Sequence, residues 1–157
     1  MKKIIVLLLT ASFLLSCSSS KVVRESQKTI KGQWSLNSVN YSEAGTYKIS
    51  LLNDVSKECF ENSTWQFIPN NNSGTYSILN SDCNTGERNF NFTIQEVDKT
   101  TGLYNFLLKP TDAKGKSETN QGFRLNLSQL SDTTMQWQQT VTVDGKPFII
   151  NMNFSKL

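Results

Sequence analysis

The chain contains no histidine among its 157 residues. This removes the side chain that most often acts as a general base near neutral pH, and the commonest transition-metal ligand. Neither a Ser-His-Asp nor a Cys-His nucleophilic arrangement can be built. No Cys-x-x-Cys pair and no phosphate-cradling glycine loop is present. No cofactor or metal is therefore expected, and no enzymatic activity. Charge is also scarce, at 18% of residues, with 16 Lys and Arg against 13 Asp and Glu. Setting aside Lys2 and Lys3 at the extreme N-terminus leaves 14 against 13. So even a balance argues against nucleic acid, which requires a clustered basic surface. The apolar run Ile4 to Leu9 falls short of the roughly 20 residues that span a bilayer. The acidic pairs Glu58 with Glu61 and Asp82 with Glu87 fall in polar connections, where solvated carboxylates are expected rather than catalytic ones.

What is present begins with an export pattern. Met1-Lys2-Lys3 precedes the apolar run, and Thr10 to Cys17 follow it, giving the positive start, short apolar core and break of a secretory signal. The ending Leu14-Leu15-Ser16-Cys17 resembles the lipobox of bacterial lipoproteins. The resemblance implies that residues 1–16 are a removable signal peptide and that Cys17 is the acylated first residue of the mature protein. Acyl chains on one Cys hold a protein in a bilayer, at roughly 0.8 kcal/mol per buried CH₂. Residues 17–31, with Ser18-Ser19-Ser20 at their start, read as a flexible tether. No acidic residue follows Cys17 directly, which points to the periplasmic side of the outer membrane.

Cys59 and Cys83 remain. An exported chain with two further cysteines usually joins them. The runs Ser63 to Pro69 and Thr75 to Leu79, separated by Asn70-Asn71-Asn72-Ser73-Gly74, read as a hairpin, and the two cysteines flank its open end. A Cys59–Cys83 disulfide is expected.

From Gly32 onward the period is two. Strands are expected at 32–41, 63–69, 74–80, 88–97, 103–109, 122–130, 133–143 and 147–155. An extra short strand near 46–51 and one helical turn between Leu51 and Phe60 interrupt the long connection 42–60. Phe90, Phe92 and Ile94 share a face, as do Phe123, Leu125 and Leu127, then Met135, Trp137, Val141 and Val143, then Phe148, Ile150, Met152 and Phe154. Asp144-Gly145 suits the type I′ turn between twisted antiparallel strands. Short turns make neighbours antiparallel. One apolar face on each of eight strands describes an all-β, eight-stranded, antiparallel up-and-down barrel over residues 32–157.

Gly32-Gln33-Trp34 at the start of the first strand resembles the lipocalins. The order Glu58-Cys59-Phe60, Ser63-Thr64-Trp65, Asn72-Ser73-Gly74-Thr75-Tyr76, Asp82-Cys83 and Asp144-Gly145-Lys146-Pro147-Phe148 resembles the lipocalin-like lipoproteins common in Bacteroidetes. The resemblance implies that Gly32 and Trp34 are structural, with Trp34 plugging the closed end, and that the interior takes a small apolar molecule. Lipocalins pack a late Arg against that Trp. Here no Arg follows Arg124, which leaves Lys156 or Arg124 for the contact.

Two functions fit. One is an outer-membrane-anchored carrier of a small apolar ligand, with Phe90, Phe92, Trp137, Phe148 and Met152 as its expected lining. The other is a filled barrel that meets an envelope protein through Tyr41, Tyr47 and the 42–60 segment. An empty or a packed interior separates them. The expected partners are thus the bilayer through Cys17, a small apolar ligand or an envelope protein, and no nucleic acid.

Overall fold

The computed structural model describes residues 21–157. The signal-like residues 1–16 and Cys17 lie outside the described residues. In chain order come α1 (Lys21–Ile30), β1 (Gly32–Tyr41), a ribbon of β2 (Ser50–Leu51) and β3 (Val55–Ser56), α2 (Lys57–Phe60) and β4 (Thr64–Ile68). A 3₁₀ turn (Pro69–Asn71) leads to β5 (Ser73–Ile78), β6 (Gly86–Val97), β7 (Tyr104–Thr111), β8 (Phe123–Leu130), β9 (Thr134–Val143) and β10 (Lys146–Lys156).

Eight strands close into a barrel in the order β1, β10, β9, β8, β7, β6, β5, β4, and β4 returns to pair with β1. Every neighbouring pair is antiparallel. The strand limits expected from periodicity hold to within two residues at each end. At the β9–β10 hairpin, Asp144 and Gly145 both have positive φ, 49° and 76°, as a type I′ turn demands.

Three strands carry a register shift: β1 between Leu36 and Ser38, β6 between Ile94 and Glu96, and β8 between Leu127 and Gln129. Each moves the next inward side chain on by one residue. Thus Val39 follows Leu36 into the core. Bulges of this kind bend and twist a strand, which helps a sheet curl shut.

The interior is packed with rings. Trp34, Trp65, Trp137, Phe67, Phe90, Phe92, Phe106 and Phe154 are all buried. Gly74 faces Phe90 across the β5–β6 pair, and a Cβ there would overlap the Phe90 ring and the Gln66 carbonyl. Full burial of one such side chain contributes roughly 1.5–3 kcal/mol.

One end of the barrel is sealed by α1. Residues 21–30, expected to be part of a flexible tether, instead form this helix, with Ser26 and Ile30 buried against the barrel. The tether expectation is corrected over those ten residues: an amphipathic turn at the end of an apolar barrel buries surface that a tether would leave wet. The seal centres on Trp34. Its indole Nε1 donates to the Ile30 carbonyl at 2.9 Å. The Lys156 ammonium sits 5.1 Å above the ring and donates to the Thr29 carbonyl at 2.8 Å. Lys156 thus makes the cationic contact, while Arg124 bonds Gln95 Oε1 on the outer wall.

Trp34→Ala is expected to cost about 3–5 kcal/mol through the cavity it leaves. Trp34→Phe should cost less, because it keeps most of the volume and loses one hydrogen bond worth about 1 kcal/mol. Urea unfolding at unchanged m-value measures both.

Candidate ligand site at the barrel mouth

The opposite end, the mouth, gathers the 42–63, 79–85 and 112–122 connections and the Asp144-Gly145 turn. It is filled from outside the wall. Leu51 and Leu52 at the tip of the ribbon, and Phe60 from α2, are buried in the same core as the barrel rings. Phe60 lies 5.4 Å from Tyr76 and 6.0 Å from Trp65. These three side chains form a plug whose backbone belongs to a connection.

Two kinds of bond hold the plug. Its C-terminal part is fixed firmly. The Cys59–Cys83 disulfide ties α2 to the β5–β6 connection, with Cα atoms 5.8 Å apart. A bridge enclosing that much chain stabilises by roughly 3.5 kcal/mol through the unfolded state. Glu61 Oε1 accepts from Val39 N–H at 3.0 Å, and Asn62 N–H donates to the Leu36 carbonyl at 2.7 Å. Glu61 is therefore a structural acceptor, and Glu58 stays near the surface with its carboxyl held below the usual range by the Ser56 hydroxyl.

The ribbon is held differently. Arg88 Nε donates to Asp54 Oδ2 at 2.9 Å, and the Tyr76 hydroxyl donates to the same oxygen at 2.9 Å. Arg88 is oriented by the Gly86 and Asn84 carbonyls, at 2.7 and 2.6 Å. The pair is four-fifths shielded from solvent. The turn it anchors carries Leu52 at φ 51° and Asn53 at φ 55°. Asn tolerates the left-handed region, but a Leu there costs about 1–2 kcal/mol.

On the rim, Phe148 packs 4.6 Å from Tyr47 and 5.2 Å from Tyr41. A cleft of about 440 Å³ runs between Tyr41, Tyr47, Ile49 and Lys57 beside the ribbon.

The five expected lining residues all point inward and are buried in one continuous core. Phe90 and Phe92 face Phe67, at 5.6 and 6.2 Å. Trp137 sits at the centre, edge-on to Trp65 at 5.3 Å and to Phe106 at 5.0 Å. Met152 lies opposite Trp137 in register. Phe148 is the member of the set nearest the mouth, packed against Tyr41 and Tyr47. Leu51, Leu52, Asp54, Trp65, Tyr76 and Arg88 are brought to the mouth by the fold; in the sequence Trp65 and Tyr76 stand in family-like motifs, and the Leu-Leu pair stands out in an otherwise polar connection.

The indole nitrogens differ in a telling way. Trp34 Nε1 has the Ile30 carbonyl, and Trp65 Nε1 donates to the Ser63 hydroxyl at 2.8 Å. Trp137 Nε1 is buried at the barrel centre without an acceptor. A buried donor left unpaired costs about 1–3 kcal/mol. Among the described residues no cluster of metal-ligating side chains occurs, and no helix is long and apolar enough to cross a membrane.

The model of the lipocalin-like domain family matches residues 30–137. The chain belongs to that family. Such barrels are usually non-enzymatic binding proteins. Among solved structures, a lipocalin-like protein from Bacteroides uniformis is 12% identical, covering 82% of this chain and 99% of its own, with a TM-score of 0.49. Bovine odorant binding protein, in complex with a selenium-containing odorant, is also 12% identical over 89% of this chain and 74% of its own, with a TM-score of 0.48. A comparison with curated proteins finds no match. The lipocalin-like barrel here has its Gly32-Gln33-Trp34 opening at the sealed end and its plug at the other.

The mouth also makes a pH prediction. Burial raises the Tyr76 phenol, and the Asp54 charge and hydrogen bond raise it further. Tyr104, near the sealed end, is pushed up to about 12 by burial, against a smaller opposing effect of Ser26. Both phenols hold their protons more tightly in the folded chain. Their stabilisation is full below the ordinary tyrosine value of about 10 and is lost as pH rises through the folded values. Stability should therefore fall between pH 10 and about 12. Tyr104→Phe should flatten that fall, as read by thermal melts against pH.

Proposed function

We propose that this lipocalin-like barrel is a binding protein, held in the outer membrane by an acylated Cys17 on its periplasmic side, that takes a small, mostly apolar ligand through the mouth. The observation that carries the reading is the Trp137 N–H, which has no acceptor among the described residues and lies at the centre of an interior made mainly of rings and aliphatic chains. A ligand with one carbonyl or hydroxyl acceptor on an apolar body matches that lining. Displacing Leu51 and Leu52 supplies the room, since their places are filled by a connection and not by the wall. Apolar contact then contributes roughly 25 cal/mol per Å², and family membership makes such binding plausible.

The competing reading is a permanently filled barrel that contacts an envelope protein. The dense ring packing around Trp65 favours it, and Tyr41, Tyr47 and the 42–60 segment would be its surface.

The two readings separate in a fluorescence titration. A naphthyl ketone should bind the carrier roughly five- to tenfold more tightly than an alkylnaphthalene of equal size, the worth of one hydrogen bond. That preference should vanish in Trp137→Phe. Absence of saturable binding by either compound leaves the protein-contact reading. The anchor is tested apart from this: Cys17→Ala should yield an unprocessed precursor or a soluble form, and a mature, acyl-labelled Cys17→Ala protein in the detergent phase would sink the assignment.

A further inference from the structure

We infer that the mouth opens as a flap: β2, the Leu52 turn and β3 swing away while α2 stays in place, and the Asp54–Arg88–Tyr76 cluster is the latch that sets how often this happens. The inference rests on the ligand reading above and adds how access to that site is controlled.

The division falls where the bonds change. From Lys57 to Ser63 the chain is bound to its surroundings repeatedly. The disulfide, Glu61 to Val39, Asn62 to Leu36 and Leu36 N–H to the Ser63 carbonyl all act there. At the other boundary, Ser42 exchanges two hydrogen bonds with Ile149. Between these points, among the described residues, segment 43–56 is hydrogen-bonded to the barrel strands through Asp54. Otherwise it is held by apolar contact, with Tyr47 on Tyr41 and Phe148 and the two leucines in the mouth. The flap is thus residues 43–56, with firm ends and a single polar fastening to the barrel strands, while Ser56 Oγ donates to Cys59 Sγ at the boundary with α2. Gly45 near its start has φ 152°, in the region open mainly to glycine, and suits a hinge. The left-handed Leu52-Asn53 turn is closed within the ribbon by Asp54 N–H donating to the Leu51 carbonyl, so the ribbon moves as a unit. Phe60, on the fixed side, remains stacked near Trp65 and Tyr76 as the floor's neighbour. The space uncovered is that of Leu51 and Leu52, above a wall that includes Tyr76 and Trp65.

A site reached only from a minor open state binds with an affinity reduced by the open fraction. Weakening the latch should therefore tighten binding, the reverse of what loss of a ligand-contacting residue does. The experiment is hydrogen–deuterium exchange on the mature domain, with a parallel titration of an environment-sensitive naphthyl ketone dye, in wild type, Arg88→Gln and Arg88→Lys. In Arg88→Gln, exchange over residues 50–56 should quicken roughly tenfold, while 57–63 stays unchanged, and the dye should bind more tightly by the same factor. Arg88→Lys should fall between. Should Arg88→Gln fail to fold, wild type carries the test alone. Raising salt from about 10 mM to about 1 M shortens the screening length from roughly 30 Å to 3 Å and should move both readouts in the same direction. If 50–56 does not respond, or 57–63 opens with it, the flap is overturned. If 50–56 quickens and the dye still does not bind, the latch stands and the ligand reading falls.

Discussion

The indole of Trp65 reaches from β4 across the barrel and meets rings from almost every side. It stacks on Tyr76 of β5 at 4.5 Å and lies near Phe90 of β6, Trp137 of β9 and Phe154 of β10, at 5.7, 5.3 and 5.7 Å. Phe60 of the plug completes the set. A barrel of eight strands is just wide enough for side chains to fill, and large rings fill it with few of them. Offset and edge-on ring pairs each add about 0.5–1.5 kcal/mol beyond their buried area. Because one residue touches opposite walls and the plug together, strand closure, interior density and the position of α2 are mutually dependent.

That dependence explains the contrast between the ends. At the sealed end the closing element, α1, is fastened by the chain's own terminal strand through Lys156, the Thr29 carbonyl and the Trp34 ring. Nothing there rests on a long connection. At the mouth the closure is built from a connection that must also carry the chain from β1 to β4. Its two halves are fastened by bonds of different strength: a covalent bridge on one side, and on the other a partly shielded ion pair of the kind that salt weakens.

The proposed function draws on the same geometry. A lipocalin-like barrel with a charged or polar lining would choose its ligand by ion pairing. This one offers rings, leucines and one indole donor without an acceptor. In the proposed binding function, the cost of leaving that donor unmet would select an apolar body with one acceptor, and the plug would govern access. Phe148 shares the inward phase and the core of Phe90, Phe92, Trp137 and Met152, and extends that core to Tyr41 and Tyr47 at the mouth.

Strand number, order and inward faces were legible in the sequence, because a period of two with turns such as Asp144-Gly145 between the runs leaves little choice of topology. The bulges left a trace as well. Leu36 to Val39, Ile94 to Val97 and Leu127 to Leu130 are each spaced by three where strict alternation would give two. The cysteine pair could be matched because its local hairpin brings the ends together. The helix at 21–30 could not be read, since its short apolar stripe becomes informative only when a barrel end stands ready to cover it. The plug escaped for the same reason. Leu51 and Leu52 look like stray apolar residues in a polar connection, and Asp54 and Arg88 stand 34 positions apart. Local periodicity by itself determined the barrel and its ring-lined interior. Which side chains close the mouth, and how firmly, was decided only by tertiary structure, because those contacts join residues from separate connections that no local pattern relates.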